Sequence, residues 1–289
     1  MSPEPLAAPD PRVVAADVAR ALEEDVGSGD VTAALLPAEV AGAARVLCRE
    51  SATIAGQAWF EACFHALDPS ARVQWAVAEG SRVGPGTVLC RIEGRLRAIL
   101  SAERPALNFL QTLSGTATVA RAFADAVAGT GARVLDTRKT LPGLRYAQKY
   151  AVRAGGAHNH RMGLYDAVML KENHIAAAGS IAAAAAAARR LHPRLPLVIE
   201  VESLDELQQA LGVGPERVLL DDFSLEQMAE AVRRRDRAAA AGAQRVPLEV
   251  SGSVDLERIR AIAGTGVDCI SVGALTKHVR AIDLSLRLE

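Results

Sequence analysis

From residue 133 onward, short apolar runs rich in β-branched residues alternate with stretches of helical spacing. The runs are RVLD (133–136), AVML (167–170), LVIEV (197–201), RVLL (217–220), PLEV (247–250) and CISV (269–272). At four or five residues each they read as strands. Between them, residues 180–191 and 225–241 read as helices, with Ser180 a candidate N-cap. The alanines from Ala182 to Ala188 are accounted for by helix propensity. Strand alternating with helix predicts a parallel sheet, open or closed into a barrel.

The first half of the chain has a different pattern. Residues 1–11 are proline-rich and read as a disordered tail. Residues 12–25 (RVVAADVARALEED) space Val and Leu for a helix, which Gly27 to Asp30 break, and Asp30-Val31-Thr32 open the next element. Residues 43–100 mix short strands with one helix near 57–67. The stretch EGSRVGPGTVLCRIEG (79–94) has the turns of a lipoyl or biotinyl carrier. A carrier needs a lysine at a hairpin tip, and the first lysine of this chain is Lys139. The stretch is therefore read as part of a sandwich-like small domain without a carrier role. Residues 101–128 read as a long helical region, interrupted near Ser114-Gly115.

Polar residues follow each strand of the second half. Thr137, Arg138 and Lys139 come after VLD, and Lys171 after VML. LVI runs into Glu200, with Glu202 two residues on; VLL ends in Asp221 and Asp222; LEV ends in Ser251-Gly252-Ser253; ISV ends in Gly273. The carboxyl ends of parallel strands converge on one mouth, which in β/α barrels is the active site. Arg138, Lys139, Arg161 and Lys171 suit carboxylates or phosphates. Glu200 and Asp221 are hard oxygen donors of the kind that hold Mg²⁺ together with substrate oxygens. The small residues 251–253 and Gly273 let backbone N–H groups approach a phosphate, and a helix opening at VDLERIRAIAG would point its positive end there. The composite is a site for a carboxylate, a phosphorylated sugar and Mg²⁺.

Charge sharpens this picture. The chain of 289 residues has a formal net charge of −1, yet residues 136–174 hold seven cations against three anions. His158, His160 and His174 sit among them. A cationic cluster in a near-neutral protein fits a small, heavily anionic ligand and not a nucleic acid, which needs basic charge over a whole face. Only Lys139, Lys149, Lys171 and Lys277 among 33 basic residues are lysine, so a compact ammonium is a candidate requirement where one persists. Half of the residues are apolar and 3% aromatic, enough for one large domain or two ordinary ones with a core of Ala, Val, Leu and Ile. No run approaches the ~20 apolar residues of a membrane span. The start lacks a basic segment of the signal-peptide kind. Cys48, Cys63, Cys90 and Cys269 form no close pair and read as buried hydrophobes in a reducing cytoplasm.

The chain resembles the quinolinate phosphoribosyltransferase family over nearly its whole length. The resemblance rests on EDVGSGDVT (24–32), ERPALNFLQTLSGTAT (103–118), LDTRKTLPGLRYAQKYAVRAGGAHNHRMGLYDAVMLKENHI (135–175), IEVES (199–203), LLDDFS (219–224), EVSGSV (249–254) and ISVGALTKHV (270–279). It implies an α/β protein: a small N-terminal α/β sandwich domain over 12–115 and an incomplete parallel β/α barrel over 116–276, with a C-terminal helix (277–289) packing on the small domain. It implies a homodimer in which each small domain covers the partner's barrel mouth. It also implies a reaction of quinolinate with phosphoribosyl pyrophosphate, giving nicotinate mononucleotide, pyrophosphate and CO₂ in NAD biosynthesis.

Residue roles follow from the same resemblance. Arg104 would reach into the partner's site. Thr137, Arg138, Lys139, His160 and Arg161 would line the quinolinate pocket, and Lys171 would contact the substrates near the reacting centre. Glu200 and Asp221 would hold ribose hydroxyls and Mg²⁺. Ser251, Gly252, Ser253, Val272, Gly273 and Ala274 would cradle the 5′-phosphate. The family usually has Ser-Gly-Gly where this chain has Ser251-Gly252-Ser253; a positive φ at Ser253 would cost about 1 kcal/mol or more.

Other readings attach to the same residues. Lys171 at a strand end also suits a Schiff-base aldolase, His158 and His160 a metal pair or nuclease motif, and Arg138 and Arg161 surface ion pairs. Arg145, Lys149 and Arg153 share one helix face, and Arg233, Arg234, Arg235 and Arg237 read as a solvated one. At the level of the whole chain, the rivals are a relative associated with molybdate uptake, a nicotinate phosphoribosyltransferase, and a catalytically silent phosphoribosyl pyrophosphate binder.

Overall fold

The computed structural model describes residues 6–289. Of the tail expected over 1–11, residues 1–5 lie outside the described residues. Residues 6–10 have no regular structure, and Asp10 caps the first helix by accepting from the Arg12 N–H at 2.9 Å. The chain divides into two compact units. One comprises the residues up to Arg121, 140–156 and 275–289; the other comprises 122–139 and 157–274.

In chain order the first elements are α1 (Pro11–Asp25), β1 (Ala41–Cys48), β2 (Ala52–Thr53), α2 (Gln57–Leu67), β3 (Arg72–Trp75), β4 (Arg82–Val83), β5 (Val88–Arg95) and α3 (Leu96–Ala126). There follow β6 (Arg133–Leu135), α4 (Arg145–Ala154), β7 (Val168–Leu170), α5 (Glu172–Ala178), α6 (Ile181–Leu191), β8 (Leu197–Val201) and α7 (Leu204–Val213). The chain ends with β9 (Arg217–Asp221), α8 (Leu225–Ala240), β10 (Leu248–Ser251), α9 (Ile259–Gly264), β11 (Cys269–Ser271), α10 (Ala274–Lys277) and β12 (Leu284–Leu288).

The first unit carries an antiparallel sheet in the order β12-β1-β5-β3. Ala44, Val46 and Cys48 alternate inward along β1, as a half-buried strand requires. They join Trp59, Phe60 and Phe64 of α2 and Leu107, Leu110 and Leu113 of α3 in one core. Two expectations are corrected here. The C-terminal segment is not a helix over 277–289: Leu284–Leu288 is a strand paired with β1. The long helix is not interrupted at Ser114-Gly115. The Ser114 hydroxyl bonds the backbone of Ala55, and Gly115 gives room to the Arg280 carbonyl, 2.2 Å from where a Cβ would stand. Arg145, Lys149 and Arg153 all lie in α4, and Lys149 is fully buried there.

The second unit carries six parallel strands in the order β6-β11-β10-β9-β8-β7. Each strand from β7 to β10 pairs with its successor in the chain, and β6 closes on β11. An isolated parallel bridge joins Leu135 to His158, and among the described residues no pairing joins β6 to β7. This is an incomplete β/α barrel. Helices α6, α7 and α8 begin as the pattern predicts, with Ser180, Ser203 and Ser224 accepting from the N–H three residues on. Arg235 departs from its expected solvated face: it is buried and paired with Asp236 and Asp268. No described helix is long and apolar enough to cross a membrane.

Candidate active site

The carboxyl ends of the barrel strands open into a cavity of about 480 Å³. Thr137, Arg138, Lys139, His160, Arg161, Lys171, Glu200, Asp221, Ser251 and Gly252 line it, as do Met169, Leu219, Glu249 and Ser271. Parallel register sets the spacing. Asp221 stands opposite Ser251, and Glu200 opposite Leu219 on the intervening strand.

Local hydrogen bonds place the cations. Asp136, fully buried at the end of β6, accepts from Asn159 Nδ2 at 2.6 Å and from the His160 N–H at 2.8 Å. The Thr137 hydroxyl accepts from the Lys139 N–H at 3.0 Å. Asp166 accepts from the N–H groups of Met162 and Gly163, shaping the turn that follows Arg161. The guanidinium of Arg161 donates to the Ala167 carbonyl at 3.1 Å. Burial lowers the pKa of Arg161, and the like charge of Arg138 adds to that effect against the pull of Asp166 and Glu200. An anionic ligand relieves both costs.

On the acidic wall, Lys171 Nζ lies 2.5 Å from Glu200 Oε2, and the Ser251 hydroxyl donates to Asp221 Oδ1 at 2.6 Å. These contacts use one oxygen of each carboxylate and leave Glu200 Oε1 and Asp221 Oδ2 outside them. Two hard oxygens match the one or two carboxylates with which proteins hold Mg²⁺, substrate oxygens and water completing the shell. Among the described residues no group of three or more His, Cys, Asp or Glu is placed to hold a metal by itself.

Other expected site residues lie outside the cavity lining. Arg104 is exposed on α3, in the first unit. Ser253 is exposed just beyond Gly252, Val272 is buried, and Gly273 and Ala274 are half-buried after β11. Ser253 does adopt a positive φ of 28°, beside Gly252 at 92°. Asp222, at the end of the neighbouring strand, is also left-handed at 53°. Such backbone strain concentrates at ligand sites. The helix expected straight after Ser253 is corrected: α9 starts only at Ile259, so no helix N-terminus follows this loop directly. Glu202 lies past the end of β8 and is absent from the lining.

Glu249 was missed from sequence. Its signal was a charged residue inside the core run PLEV, where an unpaired carboxylate is costly. Its partner Arg217 opens the run RVLL in the same way.

A parallel barrel that gathers cations and carboxylates around one mouth, beside a left-handed loop, defines a β/α-barrel enzyme for small anionic substrates. Comparison with known proteins narrows this class. Residues 30–114 match the family model of the quinolinate phosphoribosyl transferase N-terminal domain, and residues 116–287 that of the C-terminal domain. A nicotinate-nucleotide pyrophosphorylase [carboxylating] of Mycobacterium leprae is 44% identical over 94% of this chain and 95% of its own. A quinolinate phosphoribosyltransferase [decarboxylating] of Nicotiana tabacum is 38% identical over 93% of this chain and 80% of its own. The solved nicotinate-nucleotide pyrophosphorylase of Francisella tularensis superposes with a TM-score of 0.92 at 42% identity, covering 99% of both chains. The chain belongs to the quinolinate phosphoribosyltransferase family.

Proposed function

We infer that this enzyme transfers the phosphoribosyl group of phosphoribosyl pyrophosphate to quinolinate with decarboxylation, forming nicotinate mononucleotide, pyrophosphate and CO₂. The observation that carries this reading is one cavity with Arg138, Lys139 and Arg161 facing a Lys171–Glu200 pair and Asp221. Family membership supports it along the whole chain.

Arg138, Lys139 and Arg161 hold the two ring carboxylates, with Thr137 and His160 completing the pocket. Fixing both carboxylates points the pyridine nitrogen at the anomeric carbon. Its lone pair forms the N–C bond as the bond to pyrophosphate breaks. Positive charge develops on the ribose, and Glu200 and Asp221 stabilise it. Lys171, beside Glu200 on the cavity wall, is assigned to neutralise the departing oxygen as it gains negative charge. The ring nitrogen is then quaternary. The bond to the adjacent carboxylate breaks, its electron pair stays on the ring carbon, CO₂ leaves and a proton takes its place. No covalent bond to the protein is needed.

Glu200 and Asp221 are the residues that would hold Mg²⁺, which when bound supplies charge neutralisation to the pyrophosphate. Ser251, Gly252 and Ser253, with Val272, Gly273 and Ala274, form the proposed 5′-phosphate cradle. The left-handed backbone at Gly252 and Ser253 supports this, because it turns successive N–H groups to one side. Arg104 is assigned to the partner's site in a homodimer with shared active sites; its exposure on α3 supports that reading. Four buried free thiols support a reducing, cytoplasmic setting. The test is direct: protein, Mg²⁺, quinolinate and phosphoribosyl pyrophosphate should yield CO₂ and nicotinate mononucleotide in equal amounts. Consumption of phosphoribosyl pyrophosphate without CO₂ would overturn the reading.

A further inference from the structure

Glu249 is the second residue of β10, and its side chain is fully buried against the inner end of the cavity. Three groups from three other segments converge on it. Arg217 Nη1, on β9, lies 2.9 Å from Oε2; the Ser271 hydroxyl, on β11, donates to Oε1; and His160 Nε2 lies 3.3 Å from Oε2. The His160 contact is a close approach of ring nitrogen to carboxylate rather than a well-aligned hydrogen bond, but both side chains are almost sealed from water, at 8% and 0% exposure, so screening is weak. Burial alone would push the Glu249 carboxyl up. His160, Arg217 and Ser271 outweigh it and hold the group below the ordinary carboxylate range.

The other ring nitrogen of His160 is also engaged. Nδ1 accepts the backbone N–H of Arg161 at 2.6 Å. A backbone N–H can only donate, so Nδ1 carries the lone pair and the ring hydrogen sits on Nε2, facing Glu249. A neutral imidazole has one donor and one acceptor. Nδ1 is used inside the protein, and Nε2, sealed from solvent, faces the Glu249 carboxylate.

The engaged N–H belongs to Arg161, whose guanidinium works against burial and against Arg138. A cation held beside another cation needs a firm backbone to keep its place. We propose that Glu249 is a positioning residue: it fixes the Nε2–H form of His160, and His160 in turn clamps the Arg161 backbone and aims its guanidinium at the substrate carboxylate. This rests on the quinolinate reading above, in which His160 lines the pocket, and it adds to His160 the work of bracing Arg161.

Two double variants separate this from simple structural damage, because both remove the buried ion pair. Arg217→Met/Glu249→Gln keeps an acceptor for His160, and Arg217→Met/Glu249→Met does not. The methionine version should show a quinolinate KM at least about tenfold above the glutamine version, the effect of one misplaced charge-assisted contact. Their kcat values and their KM for phosphoribosyl pyrophosphate should agree within about threefold. Ring-nitrogen NMR of His160 should report a single Nε2–H form in the wild type and the glutamine version, and its loss in the methionine version. Equal quinolinate KM in the two versions, or a wild-type ring protonated on Nδ1, would overturn the proposal. If the wild type turns over no quinolinate at all, the functional reading falls, and the NMR comparison alone decides for or against the Glu249–His160 link.

Discussion

The ammonium of Lys171 lies 2.5 Å from a carboxylate oxygen of Glu200, joining the residue after β7 to the adjacent strand β8. The Lys171 side chain is 42% exposed, so solvent screens the pair and its worth to stability is small. Its consequence is placement, since a cation and an anion are fixed on one wall of the cavity while Asp221 is fixed beside them by Ser251.

Glu200→Gln and Asp221→Asn should therefore act on the ribose side of the reaction. Each should lower kcat by about 100-fold or more, the scale of losing one electrostatic stabiliser of the transition state. Each should also weaken phosphoribosyl pyrophosphate binding, raise the Mg²⁺ requirement and leave quinolinate affinity within about threefold. Separate titration of each ligand into each variant checks this. Loss of quinolinate affinity with an unchanged Mg²⁺ dependence would assign these carboxylates to the wrong substrate.

Arg104 provides a test of the shared site. Arg104→Ala and Lys171→Ala should each be inactive alone, and mixing them under subunit exchange should restore part of the activity. One of the two sites in a mixed dimer then holds both wild-type residues. Heterodimers that form without recovering activity would confine Arg104 to its own subunit.

Gly115 and Gly212 predict opposite responses to the same substitution. A Cβ at Gly115 would stand 2.2 Å from the backbone oxygen of Arg280, so Gly115→Ala should destabilise by about 2 kcal/mol or more. Gly212 lies in α7 with open space around its Cβ position, so Gly212→Ala should stabilise by about 0.5–1 kcal/mol. Denaturant unfolding of both variants measures the two signs.

Legibility from sequence followed periodicity. The strands β6 to β11 and helices α6 and α8 were placed within a residue or two, because short apolar runs between helical stretches have few other solutions in a parallel sheet. Residues at strand ends were legible for the same reason: Lys171, Glu200, Asp221 and Ser251 each follow or end an apolar run, and topology alone brings those ends together. Contacts between distant segments were not legible. Gly115 looked like a helix break because its requirement comes from Arg280, far along the chain. Leu284–Leu288 looked helical because its strand character depends on pairing with β1. Glu249 and Arg217 are explained only by each other, across two strands.

The buried thiols make a pH prediction. Burial pushes Cys63 up to about 12 and Cys269 up to about 11. Their thiolate fractions at pH 8 are therefore negligible, and a disulfide reagent should modify few of the four thiols in the native protein and all four after unfolding. The sign for stability follows. A thiol whose folded pKa lies above its unfolded value contributes fully below the unfolded pKa of about 8.5. That contribution is lost as pH rises through about 11 to 12. Rapid native labelling at pH 8 would contradict this.

The choice between quinolinate and nicotinate tests the central claim most directly. Arg138, Lys139 and Arg161 supply more cationic groups than one carboxylate can satisfy. Losing the contacts of the second carboxylate costs roughly 1–3 kcal/mol, a discrimination of at least ~10- to 100-fold. The measurement is kcat/KM for each substrate with phosphoribosyl pyrophosphate and Mg²⁺, with CO₂ followed in the quinolinate reaction. The account predicts a large preference for quinolinate and one CO₂ per mononucleotide. Comparable turnover of nicotinate would contradict it.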